Sequence, residues 1–209
     1  MEIIFATRNR GKLKEIKNVM EQPDGKFHVI SMEAAGITVD VTEDGDTYEA
    51  NAIKKAETIC RLTQKLTLAD DSGLEIDYLD KQPGVYSARY LGEHTPYEIK
   101  NRIIIDRMSN VPDISRSARF VCVIAAAFPK GGAYSVHGVV EGLIAREVSG
   151  GKSGFGYDPI FYLPQYGKTM SEIPISLKNE ISHRSRALRK MKAFLESRGS
   201  DNNQTACFQ

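Results

Sequence analysis

The turn between residues 7 and 12 places charged and polar side chains where a strand-like run gives way to a helical pattern. A helix N-terminus offers unpaired N–H groups and the positive end of a dipole, and Lys12 adds a full positive charge. This composition suits an anionic group such as a phosphate. The G-x-x-x-x-G-K-[ST] pattern of a P-loop is absent, so the segment is either a phosphate-binding turn or an ordinary solvated turn.

Two adjacent aspartates, Asp70 and Asp71, close a predicted apolar strand and precede Ser72 and Gly73. Neighbouring side chains on a strand face opposite sides, so the two aspartates cannot both line one pocket while the strand geometry holds. We predict that one binds a metal ion or water and that the other caps backbone or pairs with a basic group. The alternative is a turn in which local hydrogen bonds favour aspartate.

A third candidate is the acidic segment of Glu43, Asp44 and Gly45. Mg²⁺ prefers one or two carboxylates together with water and substrate phosphate oxygens. Glu43 and Asp71 would supply that set of ligands. An acidic surface loop is the more common meaning of such a run, and the sequence leaves the distance between the two carboxylates open.

Glycines flank an aromatic residue in the segment 154–159. They allow the backbone to approach a flat ligand, with Phe155 stacked on a base and Asp158 accepting hydrogen bonds from ring N–H groups. The alternative is that Phe155 and Tyr157 are core aromatics beside a bend.

The segment 178–184 contains a helix start at Ser182, followed at once by His183 and Arg184. A basic pair in this position works against the helix dipole. A local violation with no gain in stability tends to fall at a functional site. The later basic residues of the helix, from 186 to 192, are predicted to form a solvated face.

The elements that must position these residues follow from hydrophobic periodicity and turn signals. Strands are predicted over residues 2–7, 27–31, 66–71, 74–79, 119–128, 133–147 and 158–163. Helices are predicted over residues 11–20, 95–109, from Asp46 or Thr47 to about 64, and from Ser182 to just before Gly199. Glu49 would complete a capping box with Asp46, and Glu98 would complete one with Thr95. The pattern predicts one α/β domain over residues 1–199 with a long antiparallel ribbon in its second half, and a polar, disordered tail over residues 200–209.

The composition, 41% hydrophobic and 26% charged over 209 residues, is typical of a globular protein. The net charge of +1 is lower than a dedicated duplex-DNA binder usually carries. There is no apolar run of ~20 residues and no signal-peptide layout, so we expect a cytoplasmic protein without a membrane partner. Cys60 and Cys122 are expected to be buried, and neither C-x-x-C nor a metal-ligand spacing of histidines occurs.

Taken together, these segments resemble the inosine triphosphate pyrophosphatase family. The family motifs T-x-N-x-x-K, E-x-G-x-T-[FY]-x-x-N-A-x-x-K-A, A-D-D-S-G-L, P-G-x-x-S-A-R-[YF], G-F-G-Y-D-P-x-F and K-N-x-x-S-H-R-x-x-A-L fall at residues 7–12, 43–56, 69–74, 83–90, 154–161 and 178–188. The match covers about residues 1–195. Arg8 and Arg10 occupy variable positions of the first motif, and the polar tail is unmatched.

The resemblance implies an elongated α/β fold with a mixed sheet, two lobes around a central substrate cleft, and a homodimer. It implies Mg²⁺-dependent hydrolysis of non-standard purine nucleoside triphosphates (ITP, dITP and XTP) to the monophosphate and pyrophosphate, which cleanses the nucleotide pool. Glu43 and Asp71 would bind Mg²⁺, Asp71 would activate water, Ser72 would touch substrate, and Lys55 would add charge near the phosphates. The triphosphate would be held by Thr7, Arg8, Asn9, Arg10, Gly11 and Lys12, and the base by Phe155, Gly156, Tyr157, Asp158, Lys178, His183 and Arg184.

The chemistry then expected is attack of water on the α-phosphorus, with Lys178 or Arg184 directed at the 6-oxo group of the base. Two alternatives remain. One is a pyrophosphatase for modified pyrimidine or methylated nucleotides on a similar fold. The other is a non-catalytic nucleotide- or RNA-binding module that uses the basic C-terminal helix. Only Phe194 interrupts that helix with an aromatic ring, so we expect a purine nucleoside triphosphate, and no nucleic acid, as the partner.

Overall fold

The computed structural model describes residues 1–21, 23, 25–151 and 154–204, with side chains as far as residue 198. Within these residues the chain forms a seven-stranded mixed sheet in the order β2-β1-β3-β4-β5-β6-β7. The strands are β1 Glu2–Phe5, β2 His28–Ser31, β3 Thr67–Ile76, β4 Ser117–Ala127, β5 Ala133–Ile144, β6 Phe161–Leu163 and β7 Lys168–Thr169. The helices are α1 Arg10–Met20, α2 Tyr48–Thr63, α3 Tyr97–Arg107, α4 Ile175–Ile181 and α5 His183–Gln204.

The sheet combines parallel and antiparallel pairing. β1 pairs in parallel with β2 and with the start of β3, whereas β3 to β7 pair in antiparallel fashion. The two long strands predicted in the second half are present as β4 and β5, and they pair in antiparallel fashion. The predicted α/β class is therefore confirmed.

β3 corrects the prediction of two separate strands. It continues for ten residues through Asp70, Asp71, Ser72 and Gly73, because β4 pairs with every one of its positions. The aspartates can lie within the strand because each carboxylate has a side-chain partner on its own face of the sheet. The tight fit at Gly73, where an added Cβ would lie 2.3 Å from the Gly84 carbonyl oxygen, shows why that position lacks a side chain.

Two helix starts differ from the predicted capping boxes, and a third is capped as predicted. Thr47 caps α2 by accepting a hydrogen bond from the Ala50 N–H at 3.1 Å, so the predicted box of Asp46 with Glu49 is not formed. Thr95 does not cap α3, because its hydroxyl donates to the Leu91 carbonyl. Ser182 does cap α5, as predicted, through the Ser185 N–H at 3.1 Å.

The end of the chain contains more helix than predicted. α4 precedes Ser182 and was missed, because its seven residues are too few to establish a helical period. α5 continues past Gly199 to Gln204, so the segment predicted to be a tail begins within this helix. Residues 205–209, including Cys207, lie outside the described residues.

Helices cover both faces of the sheet. On one face α1 and α5 bury Leu68, Cys122 and Ile124, and on the other α2 buries Ala69 and Val123. The alternation along β3 therefore sends Asp70 towards α1 and α5, and Asp71 towards α2. Cys60 and Cys122 are buried, as predicted. Across the described residues, no helix has the length and apolarity required to cross a membrane.

The close approach of α5 to β5 generates a stability prediction. A Cβ added at Gly138 would lie 2.0 Å from the His183 carbonyl oxygen and 2.6 Å from the Ala187 nitrogen, both backbone atoms of α5. We expect Gly138→Ala to reduce the free energy of unfolding by ~1–3 kcal/mol through overpacking. Urea unfolding would measure this, with Gly150→Ala as the control, since a Cβ there meets no atom within 4 Å. Equal midpoints for the two variants would contradict the prediction.

Candidate active site

The site begins where β1 ends and α1 starts. β1 ends at Phe5, which pairs with Leu68 of β3. β3 continues beyond that point without β1 beside it. The intervening turn is ordered by its own side chains, because Thr7 Oγ1 accepts from the Asn9 N–H and Asn9 Oδ1 accepts from the Lys12 N–H at 3.1 Å. Asn9 is thus the N-cap of α1. The predicted helix N-terminus with a lysine in its first turn is present.

Asp70 is fully buried and pairs with two cations from distant parts of the chain. Its Oδ2 lies 2.9 Å from Lys12 Nζ and 3.2 Å from Arg184 Nε. Burial disfavours the carboxylate, but these cations outweigh it and hold the pKa of Asp70 well below its usual range. Asp70 is therefore the aspartate that pairs with basic groups.

Glu15 on α1 extends this ion-pair network and was missed in the sequence. Its Oε2 accepts from Arg184 Nη1 at 2.6 Å, and its Oε1 lies 3.7 Å from Lys178 Nζ. Lys178 in turn donates to Asp158 Oδ2 at 2.6 Å. The only available sequence signal was that residue 15 lies nearly two turns beyond the cap, next to the apolar position Ile16.

Arg184 also reaches further along the same face of β3 through its third nitrogen, since Nη2 donates to Ser72 Oγ at 3.1 Å. The neighbouring His183 stacks on Phe120 with ring centroids 4.8 Å apart. Burial, together with the nearby Arg184 and Lys178, lowers the pKa of His183 well below its usual range, so this side chain is neutral at pH 7. The apparent violation at the start of α5 is thus resolved, because one group is uncharged and the other is paired with two acids.

Asp71 faces α2 and is held by Asn51. Asn51 Nδ2 donates to Asp71 Oδ2 at 3.0 Å, while its Oδ1 accepts from the Gly45 N–H at 2.8 Å. One amide therefore fixes both the carboxylate and the acidic segment. No role was predicted for Asn51, although a polar amide on the buried stripe of α2 was a visible signal.

The carboxylate of Glu43 lies on the same side of β3 as Asp71, and Lys55 is close enough to interact with both charges. Lys55 Nζ donates to Glu43 Oε1. Burial first, and repulsion from Glu43 second, raise the pKa of Asp71 to about 6. These groups line a cavity of about 270 Å³ together with Thr7, Arg8, Lys12 and Ser72.

The carboxylate pair fits a hard divalent cation. Two anionic oxygen donors disfavour each other's ionisation, and a cation between them would relieve that repulsion. Among the described residues, no group of three or more His, Cys, Asp or Glu side chains forms a cage for a metal. Such an ion would complete its shell with water and ligand oxygens, which is the usual arrangement for Mg²⁺.

A second cavity, of about 210 Å³, lies on the α5 side of β3. Phe155 forms one wall, with 38% of its surface exposed and Lys178 Nζ 4.8 Å from its ring centroid. Its N–H donates to Asp158 Oδ2, the oxygen that also accepts from Lys178. Gly154 adopts a φ of +86°, and a Cβ there would lie 2.1 Å from the same oxygen. Only glycine fits this turn.

Helix α3 supports this second cavity from behind. Tyr157 is a buried aromatic, as one alternative predicted, with its hydroxyl donating to the Ser87 carbonyl and its ring edge-on to Tyr97. Lys100 donates to the Ala88 carbonyl, and Asn101 donates to the Gly156 carbonyl. The roles of Lys100 and Asn101 depend on tertiary contacts that no local pattern indicates.

The two cavities meet, since Lys12, Ser72 and Ala88 line both. Most of the predicted site residues surround this pair of cavities. The second cavity is lined by Asn9, Lys12, Ser72, Phe155, Gly156, Tyr157, Asp158, Lys178, His183 and Arg184. Gly11 lies behind Asn9 and Phe155, whereas Arg10 lines a separate cavity beside Leu13 and Thr38.

The fold and the site together define a class: a mixed α/β enzyme with a cationic, aromatic cavity that adjoins a carboxylate pair. A family model described as the Ham1 family matches residues 3–194. The chain belongs to this family, and the resemblance drawn from its motifs is confirmed.

Several curated relatives share one name. A Clostridium perfringens protein named dITP/XTP pyrophosphatase is 45% identical over 201 residues, covering 93% of this chain and 97% of its own length. A Bacillus subtilis protein of the same name is 44% identical over 196 residues, covering 94% and 98%. Among solved structures, the Staphylococcus aureus Ham1 protein has a TM-score of 0.83 at 41% identity, covering 95% of this chain and 100% of its own.

The electrostatics of the carboxylate pair can be tested directly. In the metal-free protein we expect the Asp71 carboxyl to titrate near 6, above the usual ~3.9, because burial and the Glu43 charge disfavour its ionised form. Glu43→Gln removes the repulsion and is expected to lower the pKa of Asp71. Carboxyl ¹³C NMR would measure the titration, with Asp71→Asn assigning the signal.

The matched control is Asp44→Asn, which removes a neighbouring charge that pairs with Lys54 at 2.5 Å. The pKa of Asp71 should stay near 6 in this variant. An Asp71 pKa that is near 4 in the unsubstituted protein, or that does not respond to Glu43→Gln, would contradict the arrangement described.

Proposed function

We propose that this chain hydrolyses non-standard purine nucleoside triphosphates, such as ITP, dITP and XTP, to the nucleoside monophosphate and pyrophosphate. The observation that carries the proposal is the junction of the two cavities at Lys12 and Ser72. A base beside Phe155 would place its phosphates past Lys12, towards Glu43 and Asp71. The name dITP/XTP pyrophosphatase, carried by the relatives, describes the same reaction.

The proposal includes Mg²⁺ as the cofactor, held by Glu43 and Asp71, where it would neutralise charge on the phosphates. It also includes a cytoplasmic location, a homodimer, and no nucleic-acid partner. The exposed positions of Arg189 and Lys190 on α5 favour a solvated face rather than a binding groove, and Lys190 donates to the His137 carbonyl of β5.

The chain's own residues account for the chemistry as follows. Water attacks the α-phosphorus, the bond from that phosphorus to the bridging oxygen breaks, and pyrophosphate leaves with the electron pair. Asp71 orients the attacking water and accepts its proton. Lys12 and the N–H groups at the start of α1 stabilise charge on the phosphates.

Selection of the base would depend on Lys178 and Arg184. Their ion pairs with Asp158, Glu15 and Asp70 hold both cations in place as preorganised donors. An ammonium group carries three N–H groups, and Asp158 accepts one of them. A 6-oxo purine offers these donors an acceptor, whereas the 6-amino group of adenine would leave donor facing donor. A site with such an unpaired donor can discriminate against the wrong base by up to ~10⁴-fold.

Product analysis tests the reaction. After incubation with ITP and Mg²⁺, we expect IMP and pyrophosphate, with little turnover of ATP or GTP in parallel reactions. Chromatography of the nucleotides and a pyrophosphate assay would measure the products. IDP and phosphate would overturn attack at the α-phosphorus. Preference for a modified pyrimidine or methylated nucleotide would overturn the substrate class, and no hydrolysis of any triphosphate would favour a binding module.

A substitution tests the base pocket. Arg184→Ala removes a donor from the cavity, so the ratio of kcat/KM for ITP to that for ATP is expected to fall by about tenfold or more. It also leaves Asp70 and Glu15 with fewer partners, which is expected to lower the free energy of unfolding by ~3–5 kcal/mol. Steady-state kinetics and urea unfolding would measure the two effects.

Two variants separate selectivity from stability in that experiment. Arg184→Lys retains the charge, and Arg186→Ala removes an exposed arginine of the same helix that donates to the Val139 carbonyl. Unchanged ITP/ATP selectivity in Arg184→Ala, measured at a temperature where the variant is folded, would show that Arg184 does not read the base.

A further inference from the structure

The segment of residues 37–47, between β2 and α2, carries Glu43 without regular secondary structure. Its second half is fixed by α2. Lys55 pairs with Glu43, Lys54 pairs with Asp44, and Asn51 bonds Gly45. These contacts all come from one helix. They involve residues 43–45 of the segment. The path of the chain that leads to Glu43 depends on how the first half of the segment is held.

The first half is held by Arg8, from the turn that contains Thr7 and Asn9. Arg8 Nη2 donates to the Thr38 carbonyl at 2.6 Å and to the Val39 carbonyl at 3.3 Å. Arg8 Nε lies 3.3 Å from Asp40 Oδ1. One guanidinium thus spans three successive residues of the segment, and its planar set of five N–H donors suits this task.

The two kinds of contact differ in strength. The Asp40 side chain is 88% exposed, so water and salt screen its ion pair with Arg8. A hydrogen bond from a charged donor to a backbone carbonyl keeps its direction and is stronger than a neutral one. The bonds to Thr38 and Val39 should therefore hold the segment more firmly than the ion pair does.

We propose that Arg8 is a positioning residue that fastens the Glu43-bearing segment to the turn at the start of α1. Arg8 thereby keeps Glu43 opposite Asp71, ready for a divalent cation. This inference rests on the proposed function for its consequence in catalysis. It replaces the contact with the triphosphate that the family resemblance implied for residue 8, because the guanidinium is already engaged by the segment.

Amide hydrogen exchange tests the fastening without any reaction. In Arg8→Ala, amides of residues 38–44 are expected to exchange about tenfold faster than in the unsubstituted protein, since local opening becomes easier. Arg8→Lys should fall between the two, because a lysine cannot span two carbonyls and a carboxylate. Asp40→Asn should stay within about twofold of the unsubstituted protein, as expected for a screened ion pair.

Metal affinity is a second readout of the role of Arg8, and it also requires no turnover. With Mn²⁺ alone as the probe and free Mn²⁺ counted by electron paramagnetic resonance, the dissociation constant in Arg8→Ala is expected to rise about tenfold. In kinetic assays the Mg²⁺ concentration for half-maximal rate should rise in parallel. The KM for ITP at saturating Mg²⁺ should change by less than about twofold. Arg102→Ala, which removes an exposed arginine of α3, is the matched control.

Two results would overturn the inference. One is unchanged exchange of residues 38–44 in Arg8→Ala. The other is a raised KM for ITP with an unchanged Mn²⁺ dissociation constant, which would make Arg8 a ligand of the phosphates. Failure of the proposed function is a separate result. If no triphosphate is hydrolysed by the unsubstituted protein, the exchange measurement still decides whether Arg8 fastens the segment.

Discussion

Asp70 is buried without exposure to water, and the site depends on how that charge is compensated. Its two cations come from α1 and α5, so a single carboxylate on β3 ties together Lys12 and Arg184 from opposite ends of the chain. Glu15 and Asp158 extend the same compensation to Lys178. Removing one member of such a network leaves an unpaired buried charge. The cations that line the cavity are thus held in place before any ligand arrives.

The opposite face of β3 is less well compensated. Asp71 has an amide partner, and Lys55 is the cation beside it, but Glu43 repels it. Burial first and that repulsion second raise the pKa of Asp71, and the raised pKa represents a cost in stability at neutral pH. Sites that await a cation or a substrate commonly carry such a cost. The pleat of one strand therefore separates a structural aspartate from a reactive one, although the two are neighbours in sequence.

Much of the fold was predictable, because periodicity and turn chemistry are local. The long pair β4 and β5 and the cap at Ser182 are confirmed. The continuity of β3 through Gly73 could not be predicted, since it depends on ten pairings with a strand that lies about fifty residues away. Likewise, Asn51 and Lys100 act through partners in other elements.

The sequence by itself determined which residue types stand at which intervals. That was enough to identify the family, the two faces of β3 and nearly all the charged side chains that line the two cavities. Only the tertiary structure decided which aspartate is paired with cations, that Tyr157 is a core aromatic while Phe155 faces a cavity, and that Arg8 binds the segment of Thr38 and Val39. The physical reason is that a charge or a ring takes its role from what surrounds it after folding, and those neighbours come from distant parts of the chain.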